Sequence, residues 1–298
     1  RLASISKSVT SVLAMILVER GTLDLNHNLH HYIPKYPQGG RAIKLTHLLS
    51  HQSGIRHYQA GDPNSRKYTY CRDAMKFFQN DALKFQPGER YSYSTHAYTV
   101  LGAALEHATN KSFRQLVLDE ITIKHKLPTL RPEDRSVPDP RRATLYENTA
   151  PQNGTAGAKP AIKNMPAKPD NISWKCPGGG LESTAPDLCR FGMKLLDGSL
   201  LRKTSTKQLW TARKLNNGKT TRYGLGWRID SSDNHRYVAH SGSQLGARSY
   251  LRIYPEKEII VVILSNCRSH QPQDLGEALS KLILQKPATD RQRLQPAP

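Results

Sequence analysis

The chain has 298 residues, of which 37% are hydrophobic, and this is enough for one large domain or two closely packed subdomains around a buried core. It contains no run of about 18 or more apolar residues, so the sequence does not predict a membrane-spanning helix. The 44 basic and 24 acidic residues give a net charge of +20, spread along the chain without the aromatic interleaving or finger motifs of nucleic-acid binders. This charge indicates a solvated basic surface, and attraction to an anionic polysaccharide or phospholipid surface stays open.

Helices are predicted mainly in the first two thirds of the chain. Residues 4–20 have apolar side chains at helical spacing nearly all round, which predicts a central, buried helix that ends at Gly21. Further helices are predicted at residues 45–49, 74–83, 98–108 and 187–196, with a turn at Pro87-Gly88 before the third of these.

The sequence changes character near residue 220. Strands are predicted at residues 223–229, 237–239, 247–254 and 259–265, with turns at Asp233-Asn234 and Pro255-Glu256 and a closing helix at 276–284. Because the strands are segregated from the helices, the pattern predicts an α+β fold rather than a doubly wound parallel sheet.

The domain organisation follows from this order. We interpret residues 1–285 as one domain with a helical part over roughly 46–210 and a sheet part over roughly 220–285. Residues 128–172 are rich in Pro, Gly, Asn and charge and predict an extended excursion with a short hairpin around 143–146. Residues 286–298 are interpreted as a polar tail.

The four cysteines form no CxxC pair, so zinc or thioredoxin-like chemistry is not indicated. One disulfide is conceivable, but the sequence does not assign it, and the redox compartment stays open. His47 and His51 lie one helical turn apart, but no third ligand accompanies them, and we predict neither a metal nor an organic cofactor.

The first candidate for chemistry is the only Ser-x-x-Lys of the chain, formed by Ser4 and Lys7. On a helix, positions three apart share one face, so the Lys7 amine can reach the Ser4 hydroxyl. A desolvated lysine loses its proton more easily and can act as a base. An ordinary surface Ser and Lys is the alternative, but Lys7 lies inside an otherwise apolar helix, where a charge requires a reason.

Two further motifs could complete a site. Tyr93 begins Tyr-Ser-Thr after the Pro-Gly turn, and a phenol held near an ammonium is expected to have a lowered pKa and to shuttle protons. The run His240-Ser241-Gly242-Ser243 lies between two predicted strands, where an edge strand could pair with a substrate and direct N–H groups at its carbonyl. Read alone, Tyr93 could be a packed turn residue and His240 a structural histidine.

In this order the three motifs resemble those of the serine β-lactamase-like superfamily, which includes class C β-lactamases, DD-peptidases and family VIII esterases. Supporting stretches are also similar: LTHLLSHQSG at 45–54, PGE at 87–89, GGGLEST at 178–184 followed by Asp187 and Phe191, and YGLGW at 223–227. The resemblance runs from about residue 1 to 285 and looks nearest to the mitochondrial-type branch. It implies an antiparallel sheet flanked by helices plus a mainly helical subdomain.

The resemblance also implies roles for individual residues. Ser4 would attack the carbonyl, and Lys7 and Tyr93 would move protons to and from it. The N–H groups of Ser4 and Ser243 would form the oxyanion hole, and His240, Ser241 and Gly242 would line the substrate-binding strand together with Thr95. The expected function is a serine hydrolase with an acyl-enzyme, acting on a small-molecule or peptide substrate. A bacterial envelope or mitochondrial location would fit the family, but the sequence does not give the compartment or the oligomeric state.

Three departures from the family pattern are visible. Thr95 replaces the usual Asn, and His240 replaces the Lys of class C β-lactamases, so we expect peptidase or esterase activity rather than efficient β-lactamase activity. In the family a helix and strands precede the nucleophile, whereas only three residues precede Ser4, so we expect poor stability unless such a segment is restored. A catalytically weak relative that acts as a binding or scaffolding protein is the alternative function.

Overall fold

The computed structural model describes residues 1–37, 42–60, 62, 66–149, 163–168, 170–268 and 271–285. Its α-helices are α1 Ile5–Glu19, α2 Leu29–Tyr32, α3 Leu45–Leu49, α4 Cys71–Ala74, α5 Thr95–Thr109, α6 Phe113–Val117, α7 Cys176–Gly179, α8 Ala185–Asp197, α9 Lys203–Leu209 and α10 Pro272–Gln285. Shorter turns of 3₁₀ helix occupy Met75–Phe77 and Ser173–Lys175, and a π-helical turn occupies Leu118–Ile123.

The strands are β1 Arg131–Pro132, β2 Tyr146–Thr149, β3 Lys163–Pro166, β4 Leu181–Glu182, β5 Arg228–Ser232, β6 His235–Gln244, β7 Ala247–Tyr254 and β8 Ile259–Ser265. The last four form an antiparallel sheet in the order β5-β6-β7-β8, while β1 pairs with β4 and β2 pairs with β3. Left-handed φ angles of 50° and 60° at Asp233 and Asn234 make the tight turn between β5 and β6.

Helix α1 is the innermost element. Every residue from Ile5 to Leu17 is buried, because α1 contacts the sheet strands β6 and β7 on one side and helices α5, α7 and α9 on others. The apolar side chains of α1 point in nearly all directions, which predicted a central position, and these neighbours cover them. The helix ends where Gly21 adopts a φ of 71°, a left-handed angle that favours glycine.

The sheet is covered on both faces. Alternate residues of β8 point in opposite directions, so Ile260, Val262 and Leu264 join the core around α1 while Ile259 and Val261 face the other way. On that second face, Leu279 and Ile283 of α10 pack against Tyr254. The sheet is therefore a middle layer between α10 and the helical core, which is an α+β arrangement.

A buried carboxylate joins three helices of the helical part. Glu106 of α5 is fully buried and accepts backbone N–H bonds of 2.8 Å from Cys71, 3.1 Å from Arg72 and 3.1 Å from Phe113. Burial raises the pKa of Glu106, and these bonds oppose the rise. The carboxylate thereby holds the starts of α4 and α6 against α5, because it is their shared acceptor.

Some of the sequence-based boundaries are wrong. The helix predicted at 74–83 is replaced by α4 and a 3₁₀ turn that end by Phe77. Residues 223–227 are not a strand, because a Cβ on Gly224 would lie 2.2 Å from the Leu209 carbonyl and Gly226, at a φ of 82°, packs on α1. The strand near 143–146 begins only at Tyr146 and pairs with Lys163–Pro166, and the tail at 286–298 lies outside the described residues.

The described residues lack three features that would indicate other classes of site. None of their helices combines the length and apolarity that crossing a bilayer requires. They contain no cluster of three or more His, Cys, Asp or Glu side chains suited to a metal ion. They also contain no disulfide bond.

Candidate active site

The first turn of α1 brings a hydroxyl and an amine together. Ser4 is the N-cap residue, and Ala3 before it has a left-handed φ of 47°, which is strained for alanine and turns the chain sharply into the helix. One turn later, Lys7 Nζ lies 3.3 Å from Ser4 Oγ. The structure thus contains the predicted pairing of these two side chains on one face of the helix.

Lys7 is fully buried and has three hydrogen-bond partners. Besides Ser4, its Nζ donates to the Gly178 carbonyl at 2.6 Å and to Thr95 Oγ1 at 3.1 Å. No carboxylate of the described residues forms an ion pair with it. Burial, together with repulsion from Lys175, lowers the pKa of Lys7 well below the usual lysine value, so the neutral amine is favoured.

Tyr93 lies over this pair. Lys7 Nζ is 4.8 Å from the centre of the Tyr93 ring, and the phenol lies beside the Ser4 side chain. The expectation of a lowered phenol pKa is wrong: burial raises the pKa of Tyr93, and the interaction with Ser4 only partly opposes this. Sequence reasoning considered the neighbouring ammonium but not the desolvation of the phenol, which is the larger effect. The hydroxyl is therefore a proton donor at neutral pH.

Two histidines fix the start of α5, which carries Thr95. His51 is fully buried, and its Nδ1 accepts the Ser94 N–H at 3.1 Å. His57 Nδ1 accepts the Thr95 N–H at 3.0 Å. Burial lowers the pKa of both imidazoles, to about 4 for His57, so both rings act as neutral acceptors. They position Thr95 beside Lys7.

The run predicted to line the substrate strand is in β6. His240 is buried; its Nδ1 lies 2.7 Å from the Ser241 carbonyl and its Nε2 lies 2.9 Å from the Tyr223 hydroxyl. Because a carbonyl only accepts, Nδ1 carries the proton and Nε2 accepts from Tyr223. Burial, with repulsion from Lys7, lowers the pKa of His240 to about 3, so the ring is neutral.

Gly242 lets β6 approach the nucleophile. A Cβ at this position would lie 2.2 Å from Ser249 Oγ, 2.3 Å from the Leu2 carbonyl oxygen and 2.9 Å from Ala3 Cβ. Only a residue without a side chain allows this strand to pass so close to the segment that precedes Ser4.

The register of the hairpin indicates where the next N–H points. Gln244 pairs with Ala247 across the tight turn, so the alternation of an antiparallel ladder turns the N–H of Ser243 away from β7. On that side β5 pairs with β6 only as far as Ala239, which leaves the end of β6 as an open edge. The N–H of Ser4 has no hydrogen-bond acceptor among the described residues.

A cavity of about 600 Å³ opens beside Tyr93, His240 and Ser241. No acidic side chain of the described residues lines it, whereas four cations do. These cations are Arg90, Lys219, Arg222 and Arg228. The structure thus brings together the predicted residues Ser4, Lys7, Tyr93, Thr95, His240, Ser241, Gly242 and Ser243, of which Tyr93, His240 and Ser241 line this cavity.

Sequence reasoning missed three side chains that the structure adds. His57 orients Thr95, Tyr223 holds the His240 tautomer, and Lys175 acts on the charge of Lys7. The YGLGW stretch that begins at Tyr223 is a sequence signal for this residue, but its pattern predicts a strand rather than a role in the site. His57 and Lys175 lie where the motifs give no indication of a role.

Comparison with known proteins identifies the family to which this chain is similar. The model of the Beta-lactamase family matches residues 1–285. Penicillin-binding protein 4* of Bacillus subtilis is 27% identical, over 89% of this chain and 60% of that protein. The mitochondrial serine beta-lactamase-like protein LACTB of Homo sapiens is 24% identical, over 86% of this chain and 62% of that protein. The chain thus spans about 60% of the length of these curated relatives.

Solved structures have the same fold. A D-stereospecific amidohydrolase from Streptomyces sp. superposes with a TM-score of 0.77 at 22% identity, covering 93% of this chain and 85% of that one. A penicillin binding protein from Bacillus halodurans gives 0.75 at 22% identity, with 94% and 85% covered. The expected β-lactamase/transpeptidase-like fold is therefore confirmed.

Proposed function

Because this chain belongs to the beta-lactamase family of serine hydrolases, we propose that it cleaves peptide, amide or ester bonds through an acyl-enzyme on Ser4. The observation that carries the proposal is the buried Lys7 amine within 3.3 Å of Ser4 Oγ, with a lowered pKa and no carboxylate partner in the part of the chain that the structure describes. A buried cationic amine without a counter-charge is costly for the fold, and a role as a base accounts for it.

The attack step uses Lys7 as the base. A neutral amine has two N–H groups and one lone pair. When the N–H groups donate to the Gly178 carbonyl and to Thr95, the lone pair is left for the Ser4 O–H. Ser4 Oγ then bonds to the substrate carbonyl carbon while its proton moves to Lys7 Nζ, and the N–H groups of Ser4 and Ser243 stabilise the oxyanion.

The second step uses Tyr93 as the proton donor. When the tetrahedral intermediate collapses, the bond to the leaving amine or alcohol breaks and that group takes a proton from the Tyr93 hydroxyl. The Lys7 ammonium returns a proton to Tyr93. Water then attacks the acyl-Ser4 ester, with the same groups moving protons in reverse, and frees the acid and the enzyme.

The substrate class is a peptide, amide or ester rather than a β-lactam that is cleaved efficiently. His240 is neutral and both its nitrogens have partners, so it offers no fixed positive charge to a β-lactam carboxylate. Thr95 has a hydroxyl, not an amide, at the position where the family's Asn binds the substrate side chain. A panel of nitrocefin, D-Ala-D-Ala peptides and short p-nitrophenyl esters checks this, with the highest kcat/KM expected for an ester or peptide.

The acyl-enzyme is tested with a fluorophosphonate probe, followed by peptide mass spectrometry. We expect the added mass on Ser4, its loss in Ser4→Ala, and unchanged labelling in the control Ser199→Ala, an exposed serine far along the chain. Absence of labelling on a folded wild-type protein, checked by circular dichroism, contradicts the proposal and favours the catalytically weak binding protein instead.

A further inference from the structure

A second lysine near the site is buried, and its amine forms no direct ion pair with a carboxylate of the described residues. Lys175 is the last residue of the 3₁₀ turn before α7 and is only 9% exposed. Its Nζ lies 5.1 Å from the ring centre of Tyr58 and 5.1 Å from that of Trp174. This Nζ makes no hydrogen bond and no ion pair with any of the described residues.

The acidic side chains nearby already have cations. Asp170 Oδ1 lies 2.6 Å from Arg1 Nη2, and Asp62 Oδ2 lies 2.8 Å from Arg56 Nη1. The ammonium of Lys175 is thus held between two aromatic faces, which satisfy it only in part. A buried charge in this state has a strong preference for an anion.

The ammonium keeps its charge under ordinary conditions. Burial lowers the pKa of Lys175 to about 8, Asp170 and Glu133 oppose this, and Arg1 reinforces it. At pH 7 roughly nine in ten molecules therefore carry the proton. Lys7, the other amine at this site, is the one whose neutral form is favoured.

Lys175 lines a cavity near the residues that contact Lys7. The cavity has a volume of about 370 Å³ and is lined by Tyr58, Trp174 and Lys175 along with the two ion-paired aspartates. Lys175 Cδ lies 3.6 Å from the Cβ position of Gly179, next to the carbonyl that binds Lys7. The Tyr58 ring is 4.0 Å from that of His57, which holds Thr95.

The two cavities would bind different parts of the substrate, the leaving group and the acyl part. The 600 Å³ cavity contains Tyr93, the proposed proton donor to the leaving group, so the leaving group faces that side. The other cavity, which is lined by Lys175, is left for the acyl part.

We propose that Lys175 binds a carboxylate on the acyl part of the substrate, so that the preferred substrates are half-esters or half-amides of dicarboxylic acids and related acidic acyl groups. The Tyr58 and Trp174 rings form the apolar walls for the carbon chain. This inference rests on the proposed acyl-enzyme at Ser4.

The test compares two esters that differ in the terminal carboxylate, p-nitrophenyl hydrogen glutarate and p-nitrophenyl valerate. We expect the wild type to have a kcat/KM at least about tenfold higher for the glutarate. Lys175→Met should lower the glutarate value by about 30-fold, equivalent to about 2 kcal/mol, and the valerate value by less than about threefold. Lys257→Met, an exposed lysine in the turn after β7, should change neither, and Lys175→Arg should restore part of the preference.

Binding gives a readout that does not depend on turnover. Calorimetry of Ser4→Ala with p-nitrophenyl hydrogen glutarate should show a Kd that rises about 30-fold when Lys175→Met is added. A wild-type preference for the valerate, or equal losses for both esters in Lys175→Met, overturns the inference, and the first result needs no variant. Hydrolysis of both esters without dependence on Lys175 refutes only this subsite. Lys175-dependent binding without any hydrolysis contradicts only the proposed function.

Discussion

Substituting Gly242 by alanine tests how the sheet edge serves the nucleophile. The new Cβ would meet the Leu2 carbonyl oxygen at 2.3 Å and Ala3 Cβ at 2.9 Å, both on the segment that leads into Ser4. Ordinary contact requires about 3.5 Å, so the strand must retreat from that segment by about 1 Å. The third close atom, Ser249 Oγ, belongs to a side chain that itself donates to the Leu2 carbonyl at 2.6 Å, so it cannot turn aside without losing that bond.

A retreat of this size has two measurable costs. Overpacking of a filled site destabilises by about 1–3 kcal/mol. Moving the Ser243 N–H by about 1 Å from the oxyanion should lower kcat by about 10²-fold, the usual consequence of misplacing one such donor. We therefore expect Gly242→Ala to fold with a lowered melting temperature, to retain KM for a p-nitrophenyl ester within a few-fold, and to lose about two orders of magnitude in kcat.

The matched control is Gly21→Ala. Gly21 also has a left-handed φ, of 71°, but a Cβ there meets nothing within 4 Å and it lies at the far end of α1 from Ser4. It should lose stability through backbone strain and keep its kcat. A folded Gly242→Ala whose kcat stays within threefold of the wild type would refute the reasoning.

Four further outcomes follow from the buried polar groups. Lys7→Met should lower kcat by about 10³-fold while the melting temperature holds or rises, because methionine has no amine to desolvate; a loss of both would indicate a structural role instead. The pKa of Lys7 is lower in the folded than in the unfolded chain, so the unfolded state binds the extra proton. The free energy of unfolding of the wild type relative to Lys7→Met should therefore fall as the pH drops from about 10 towards 7. Urea titrations at both pH values measure this difference, and an equal difference at the two pH values would contradict it. Tyr93→Phe keeps the ring over Lys7 but removes the hydroxyl. It should lower kcat by about 10²-fold for an amide substrate, and by less for an ester with a good leaving group such as p-nitrophenol. Equal losses for both substrates would argue against proton donation by Tyr93. Glu106→Leu leaves three backbone N–H groups without their acceptor, and should reduce the free energy of unfolding by about 3 kcal/mol in a urea titration, whereas Glu256→Leu on an exposed turn should not.

Local patterns predicted the elements whose signals are local. The apolar surround of α1 predicted its burial, and β7 and β8 have the predicted bounds, because alternation between two turns defines a strand well. Residues 223–227 also alternate in character, but Gly224 and Gly226 are required there for close approach to the Leu209 carbonyl and to α1, and such tertiary contacts are not visible in the sequence.

The features of the site also differ in whether a local sequence pattern predicts them. A spacing of three predicted that Lys7 reaches Ser4, since both lie on one helix. The direction of the Tyr93 pKa depended on how much water the fold removes from the phenol, which no local pattern reports. The same holds for Lys175, because the sequence does not show that Asp170 and Asp62 pair with arginines and leave its amine without a direct ion pair among the described residues.

Helix α1 is both the centre of the hydrophobic core and the element that carries the nucleophile. Most enzymes can lose their reactive geometry by opening a surface loop, but here Ser4 and Lys7 cannot separate unless the protected interior itself opens. Hydrogen exchange at the α1 amides should therefore belong to the slowest class in the molecule. Heat inactivation should coincide with global unfolding rather than precede it, and the motions that admit a substrate must come from the segments around the cleft.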